Sequence, residues 1–277
     1  MSEYIINGKL LTNIANAVRS IDGSASALTP EQMETSLKAV KTRIDALTRS
    51  FKSVIERSDP NPTLPSDLTK IGTHAFANYE NLALTSLPSR VRSIGFSAFY
   101  RCNKLALTSL PSGVTDIDGY AFSGCTKLAL TSLPSGVTNI GERAFESCTN
   151  LVLTSLPSGV TKIYDSAFEN CTALALTSLP SGLTFIDNGA FYGCTNLALI
   201  SIPSGVDYIA NGAFGGCTSL TSITFEGTPR TIEARAFEGC TNITTINVPW
   251  AEGARSNAPW GATNATINYN YTAQETS

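Results

Sequence analysis

Apolar and polar positions in this chain recur as one 23-residue phrase. An Ala-Phe pair places its Phe at 76, 99, 122, 145, 168, 191, 214 and 237, with no slippage. A constant period of roughly 20–50 residues marks a stacked repeat, in which each unit buries its apolar face on the next. Within one copy, Ala98, Phe99, Cys102 and Leu105 stand at offsets of one, four and seven, the spacing of one face of a helical turn. Leu105 to Leu110 then reads as extended chain. Pro111-Ser112-Gly113 reads as a turn, because proline presets the first corner and glycine accepts a positive φ. Val114 and Ile117 lead into the next copy. The pattern predicts an α/β repeat, with a short strand plus a short helix or 3₁₀ piece per copy. Eight copies over residues 60–249 stack into a solenoid.

The last copies change the pattern. Leu105-Ala-Leu107-Thr-Ser-Leu110 becomes Leu220-Thr-Ser-Ile223-Thr-Phe225. Two readings of the earlier copies follow. If they share the later register, Leu84, Leu107, Leu130, Leu153, Leu176 and Leu199 point outward as an apolar stripe, which marks an interaction surface. If the register shifts locally, these leucines are buried and Thr108 and its equivalents turn out.

The N-terminal fifth follows different rules. Residues 1–28 read as a small attachment module with an amphipathic helix over Leu10 to Val18. Residues 29–59 read as a second helix, opened by Thr29-Pro30-Glu31-Gln32, with Thr29 as cap, Pro30 in the first turn and Gln32 completing a capping box. Its apolar residues Met33, Leu37, Val40, Ile44, Leu47, Phe51 and Val54 alternate spacings of four and three. That is the a/d seam of a short parallel coiled coil, a trimer in preference to a dimer. A helix packed on its own solenoid needs a wider apolar stripe. At the other end, residues 250–277 read as a cap and tail. Trp250, Trp260, Ile267 and Tyr269 are placed to plug the open end, which otherwise exposes core and strand edge.

Composition narrows the function classes. The net charge of −3 makes nucleic acid and anionic membrane poor partners. No stretch of about 20 apolar residues is present to cross a bilayer. Met1 to Lys9 lacks the basic region and apolar core of an export signal. All seven cysteines occupy one repeat column, at 102, 125, 148, 171, 194, 217 and 240, with Tyr79 in the first copy. An odd count at one per rung suits a ladder of buried thiols better than a metal or disulfide framework. His74 is the one histidine, the acids Asp116, Asp118, Asp165 and Asp187 are isolated, and no phosphate loop or nucleophile elbow is present. No cofactor and no catalysis are expected. Aromatic residues at Phe96, Tyr100, Tyr120, Tyr164, Phe185, Tyr192 and Tyr208 occupy columns that the repeat does not require. They are the candidate ligand-binding residues, since flat aromatic faces suit sugar rings and protein interfaces. Exposed aromatics scattered singly are also ordinary.

Two resemblances add to this. Ile-Gly-x-x-Ala-Phe-x-x-Cys-x-x-Leu followed by Leu-Pro, over residues 68–249, resembles the BspA-type leucine-rich repeat. That resemblance implies a leucine-rich-repeat solenoid that binds proteins or glycans without catalysis. Asn-Gly-x-Leu-Leu-Thr-x-Ile-Ala-x-Ala-Val-Arg, within residues 5–45, is similar to N-terminal segments of phage and prophage tail-associated structural proteins. It implies attachment to other virion proteins. Together they give a leading expectation, a phage-tail-associated recognition protein that touches a host surface through its repeats. The alternative is a bacterial cell-surface adhesin of the BspA type.

Overall fold

The structure, a computed structural model, describes Thr42, Arg57 and residues 59–272. The expected coiled-coil residues, Met33 to Val54, and the tail-protein resemblance at 5–45 lie outside these residues. The described chain is a parallel β-solenoid of about nine turns. Each coil is identified here by its core aromatic, from Phe76 in the first coil to Phe237 in the eighth.

The expected helix in each repeat is not there. From residue 59 to residue 272 no segment is helical, so the strand-plus-helix reading of the repeat is corrected to a helix-free coil. Successive tight turns replace the helix. The amides of Ala98, Tyr100 and Cys102 donate to the carbonyls of Gly95, Ser97 and Phe99, at 3.0, 3.2 and 3.0 Å. The intervening amides leave the coil altogether. Ser97, Phe99 and Arg101 donate to Gly119, Ala121 and Ser123 of the next coil, at 2.9, 2.8 and 2.8 Å. This alternation satisfies each buried amide, one within the coil and the next across it. It requires left-handed backbone twice per coil, at Ser97 (φ 52°) and Arg101 (φ 57°), which no α-helix tolerates. Chained turns reproduce the helical spacing of Ala98, Phe99, Cys102 and Leu105, which is why the two are indistinguishable by periodicity.

The strands are short and form three parallel ladders. The first joins β1 (Lys70–Ile71), β2 (Ser93–Ile94), β3 (Asp116–Ile117) and β4 (Asn139–Ile140). The second joins β5 (Lys162–Ile163), β6 (Phe185–Ile186), β8 (Tyr208–Ile209) and β10 (Thr231–Ile232). The third joins β7 (Ser201–Ile202), β9 (Ser222–Phe225), β11 (Thr245–Asn247) and β12 (Thr266–Asn268). The first two ladders sit on the Val-x-x-Ile segment of each copy, not on the leucine segment where the sequence placed the strand. Register is strict, with Ile94 opposite Ile117 and Ile117 opposite Ile140.

Identical register turns each repeat position into a column. The phenylalanine rings from Phe76 to Phe237 stack with centroids 5.2 to 5.5 Å apart and planes within 9°. Beside them the seven thiols are buried and free of disulfides. Each points back at the phenylalanine carbonyl of the preceding coil, for example Cys102 Sγ to Phe76 O at 3.0 Å. Desolvation pushes the Cys102 and Cys194 thiols up to about 12, which keeps them protonated as donors. The leucine question is settled in favour of burial. Leu107, Leu130, Leu153 and Leu176 are fully enclosed, while Thr108 and Ser109 are exposed.

Both ends of the stack are closed by larger side chains. Tyr79, standing in the cysteine column of the first coil, sends its hydroxyl to Asp59 O at 2.5 Å. Trp260 follows Phe237 by one repeat length and takes the ninth place in the aromatic column, fully buried. Its indole N–H donates to Ser256 O at 2.9 Å. Trp250 and Phe225 pack around it, with centroids 6.3 and 5.9 Å away, and β12 pairs with β11 to complete the last coil.

Candidate recognition surface

With the Phe and Cys columns repeated from coil to coil, the coils differ most on their outer faces. The seven candidate aromatics divide among four places. Phe96, Tyr100 and Tyr120 come together on the tight-turn edge of the second and third coils. Phe96 lies 5.5 Å from Tyr120, and Tyr100 lies 6.4 Å from Tyr120, ring centre to ring centre. Phe185 and Tyr208 are elsewhere, stacked at 4.8 Å along β6 and β8. Tyr164 stands exposed, with no ring contact to another aromatic among the described residues. Tyr192 is the most open of the seven and lies over the seventh coil, beyond the reach of the first cluster.

The edge cluster contains three residues that the sequence reading did not join to it. His74 meets Phe96 edge-on at 5.6 Å. Arg101 lies 5.1 Å from the centre of Tyr100, and Arg143 lies 5.8 Å from the centre of Tyr120. Such cation–aromatic contacts hold a guanidinium flat against a ring. A signal for part of this was present: His74, Tyr120 and Arg143 occupy one repeat column, with Ser97 between them. All four are left-handed, with φ between 52° and 56°. Carrying a large side chain there costs on the order of 1–2 kcal/mol per residue relative to glycine. Glycine does fill this column at 189 and 212.

Charge surrounds the cluster. Arg143 Nε sits 3.8 Å from both Glu142 and Asp165, and its Nη1 sits 3.6 Å from Glu146. Burial alone lowers the Arg143 guanidinium, but Tyr120, Glu146 and Asp165 outweigh it and hold its pKa above the ordinary arginine value. Tyr120 also donates to Glu142 Oε1 at 3.2 Å. Tyr208 donates to Glu233, and that hydrogen bond, with burial second, pushes its phenol up to about 12.

A second feature on the same edge has no counterpart in the sequence reading. An open groove of about 440 Å³ crosses the fifth to eighth coils between Tyr192 and Arg235. Gly189 and Gly212 supply its bare backbone walls. No group of three or more His, Cys, Asp or Glu side chains among the described residues is placed to hold a metal ion. Among the same residues no helix is long and apolar enough to cross a membrane.

Comparison with known proteins agrees with the repeat. A family model described as the BspA type leucine rich repeat region matches residues 56–175 and 151–252. Among solved structures, the chain is similar to the T. pallidum leucine-rich repeat protein TpLRR, at 37% identity. That match covers 57% of this chain and 76% of the other, with a TM-score of 0.50. A leucine-rich cell surface protein from Faecalibacterium prausnitzii is 24% identical, with 75% and 78% covered and a TM-score of 0.46. The pneumococcal vaccine antigen PcpA is 18% identical, with 74% and 72% covered and a TM-score of 0.38. No curated protein matches the chain. The family match spans well over half the chain and coincides with the stacked coils: the protein belongs to the BspA-type leucine-rich repeat family.

Proposed function

We propose that this protein is a non-enzymatic recognition protein of the bacterial cell surface, and that it binds through the tight-turn edge of its solenoid. The observation that carries this reading is the cluster of Phe96, Tyr100 and Tyr120 with Arg101 and Arg143. Tyrosine and arginine carry a disproportionate share of the energy at protein interfaces. Here they sit side by side on a scaffold with a repeated core, and three of them, Arg101, Tyr120 and Arg143, stand at strained left-handed positions. Strain kept at side chains that reach solvent supports a role for those side chains beside the fold's own. The thiols, the strongest nucleophiles in the chain, are sealed in the core, so the proposal assigns them no chemistry. The phage-tail expectation rests on residues 5–45, and the family match begins at residue 56, so it gains no support from that match.

Two measurements test the reading. Antibody labelling of intact producing bacteria is expected to find the repeat region outside the cell. Binding of the labelled full chain to immobilised matrix proteins is expected to fall about tenfold on the double change Tyr100→Ala and Tyr120→Ala, with the melting temperature held. Unchanged binding by the double variant, or labelling only after lysis, rejects the proposal.

A further inference from the structure

The groove on the fifth to eighth coils is a different kind of site from the edge cluster. Its floor is one aromatic ring laid on glycine. A Cβ built on Gly215 falls 2.6 Å from Tyr192 Cδ2 and 2.9 Å from Cε2, so the ring rests where that side chain would be. A Cβ on Gly212 falls 3.7 Å from the same ring, so this wall is also low. The ring packs on the coil through Cδ2 and Cε2, and Tyr192 is still 49% exposed.

The rim is polar. Glu169, Asn211, Arg235 and Glu238 line the groove with Tyr192. Backbone bonds tie them coil to coil: Gly189 to Asn211 O at 3.1 Å, Gly212 to Arg235 O at 3.1 Å and Gly216 to Glu238 O at 2.8 Å. Arg235 Nε and Glu238 Oε2 are 3.9 Å apart, too far for a firm hydrogen bond, and both side chains are largely exposed and available to a ligand.

From this arrangement we infer a carbohydrate subsite for a neutral hexopyranose, seated with its C–H face on Tyr192 and its hydroxyls on the polar rim. The inference rests on the reading of this edge as a recognition surface. A pyranose is amphipathic in the required way, with an apolar face and a circumference of hydroxyls that both donate and accept. The rim offers carboxylate acceptors, guanidinium donors and an amide that does both. Two carboxylates against one guanidinium leave the groove negative, which disfavours sialic and uronic acids. A peptide needs several apolar anchors to bind well, and the groove has one ring.

The test uses the full chain against an array of neutral and acidic oligosaccharides, with methyl hexopyranosides followed by saturation-transfer NMR. The parent is expected to bind neutral sugars. Tyr192→Ala is expected to weaken that binding about tenfold, and Tyr192→Trp to retain it. Gly215→Ala has no positive φ to offend; its Cβ meets the movable ring at 2.6 Å and, less severely, Gly212 O at 3.3 Å, so it is expected to keep the melting temperature within a few degrees and lose the sugar. Equal binding by Tyr192→Ala, or a preference for acidic glycans, overturns the inference. If the parent ignores every neutral sugar but still binds matrix proteins through Tyr100 and Tyr120, the subsite falls and the recognition reading stands. If Tyr192→Ala weakens binding to those proteins while neutral sugars are ignored, the groove is a peptide site and the inference is wrong.

Discussion

The second to fifth coils and the sixth to eighth share one core and differ in their walls. In the second coil Leu105, Leu107 and Leu110 are buried, and Thr108 and Ser109 both face out. Two successive outward residues break the alternation a strand needs. The chain there keeps one backbone bond to each neighbouring coil, Ala106 to Leu84 O at 3.2 Å and Ala129 to Leu107 O at 3.1 Å. In the seventh coil the buried residues are Leu220, Ile223 and Phe225, and Thr224 between the last two turns outward. Alternation is restored, and β9 pairs with both β7 and β11. The turn edge differs as well. Ser97, Tyr120, Arg143 and Ser166 fill the left-handed column in the earlier coils, Gly189 and Gly212 fill it in the sixth and seventh, and the eighth carries Arg235 there without a positive φ. The third and fourth coils carry Tyr120 and Arg143 in that column; the sixth and seventh carry no side chain there and leave a groove rimmed by Arg235. A repeat protein can thus vary wall and edge independently while the interior is held constant.

The largest expected effect asks whether the interior really is common to both halves. Phe145→Ala and Phe214→Ala each empty one place in a stacked column and are expected to cost about 3–5 kcal/mol, by chemical denaturation. A loss well under that range at one site alone separates the two cores. A smaller effect concerns the edges. At Gly141 an added Cβ falls 2.5 Å from Gly119 N, an immovable backbone atom, so Gly141→Ala is expected to cost roughly 1–3 kcal/mol. Gly215→Ala, against a ring that can swing, is expected to cost less than about 1 kcal/mol. Equal costs would show that the Tyr192 ring is pinned. The smallest effect has the opposite sign. Ser147→Gly relieves a φ of 57° in the earlier half. Relief of about 1–2 kcal/mol, less the entropy glycine adds to the unfolded chain, leaves a gain of about 0.5–1 kcal/mol. A loss on that substitution would mean the Ser147 side chain holds the turn.

Much of the interior was readable from the chain. The columns of Phe, Cys and Leu are legible because burial in a stack imposes one residue type per rung. The helix was misread because chained tight turns place Ala98, Phe99, Cys102 and Leu105 at helical intervals. Positive φ at Arg101 or Ser97 leaves no mark in non-glycine residues. The edge cluster was half legible, in Phe96, Tyr100 and Tyr120, and its arginines were not. The groove was illegible for another reason. It is made partly by missing side chains, and Glu169 and Glu238 meet across it from coils three repeats apart.

The unvarying register has a consequence for ancestry. Because neighbouring coils meet through the same Phe and Cys columns, a recombination event that adds or drops whole repeats among the like-walled coils is expected to yield a chain that still folds. Length, and with it the spacing between the tyrosine cluster and the groove, is free to drift between lineages. Only the tryptophan-filled terminal turn, which occurs once and fits nowhere else, must be inherited in place.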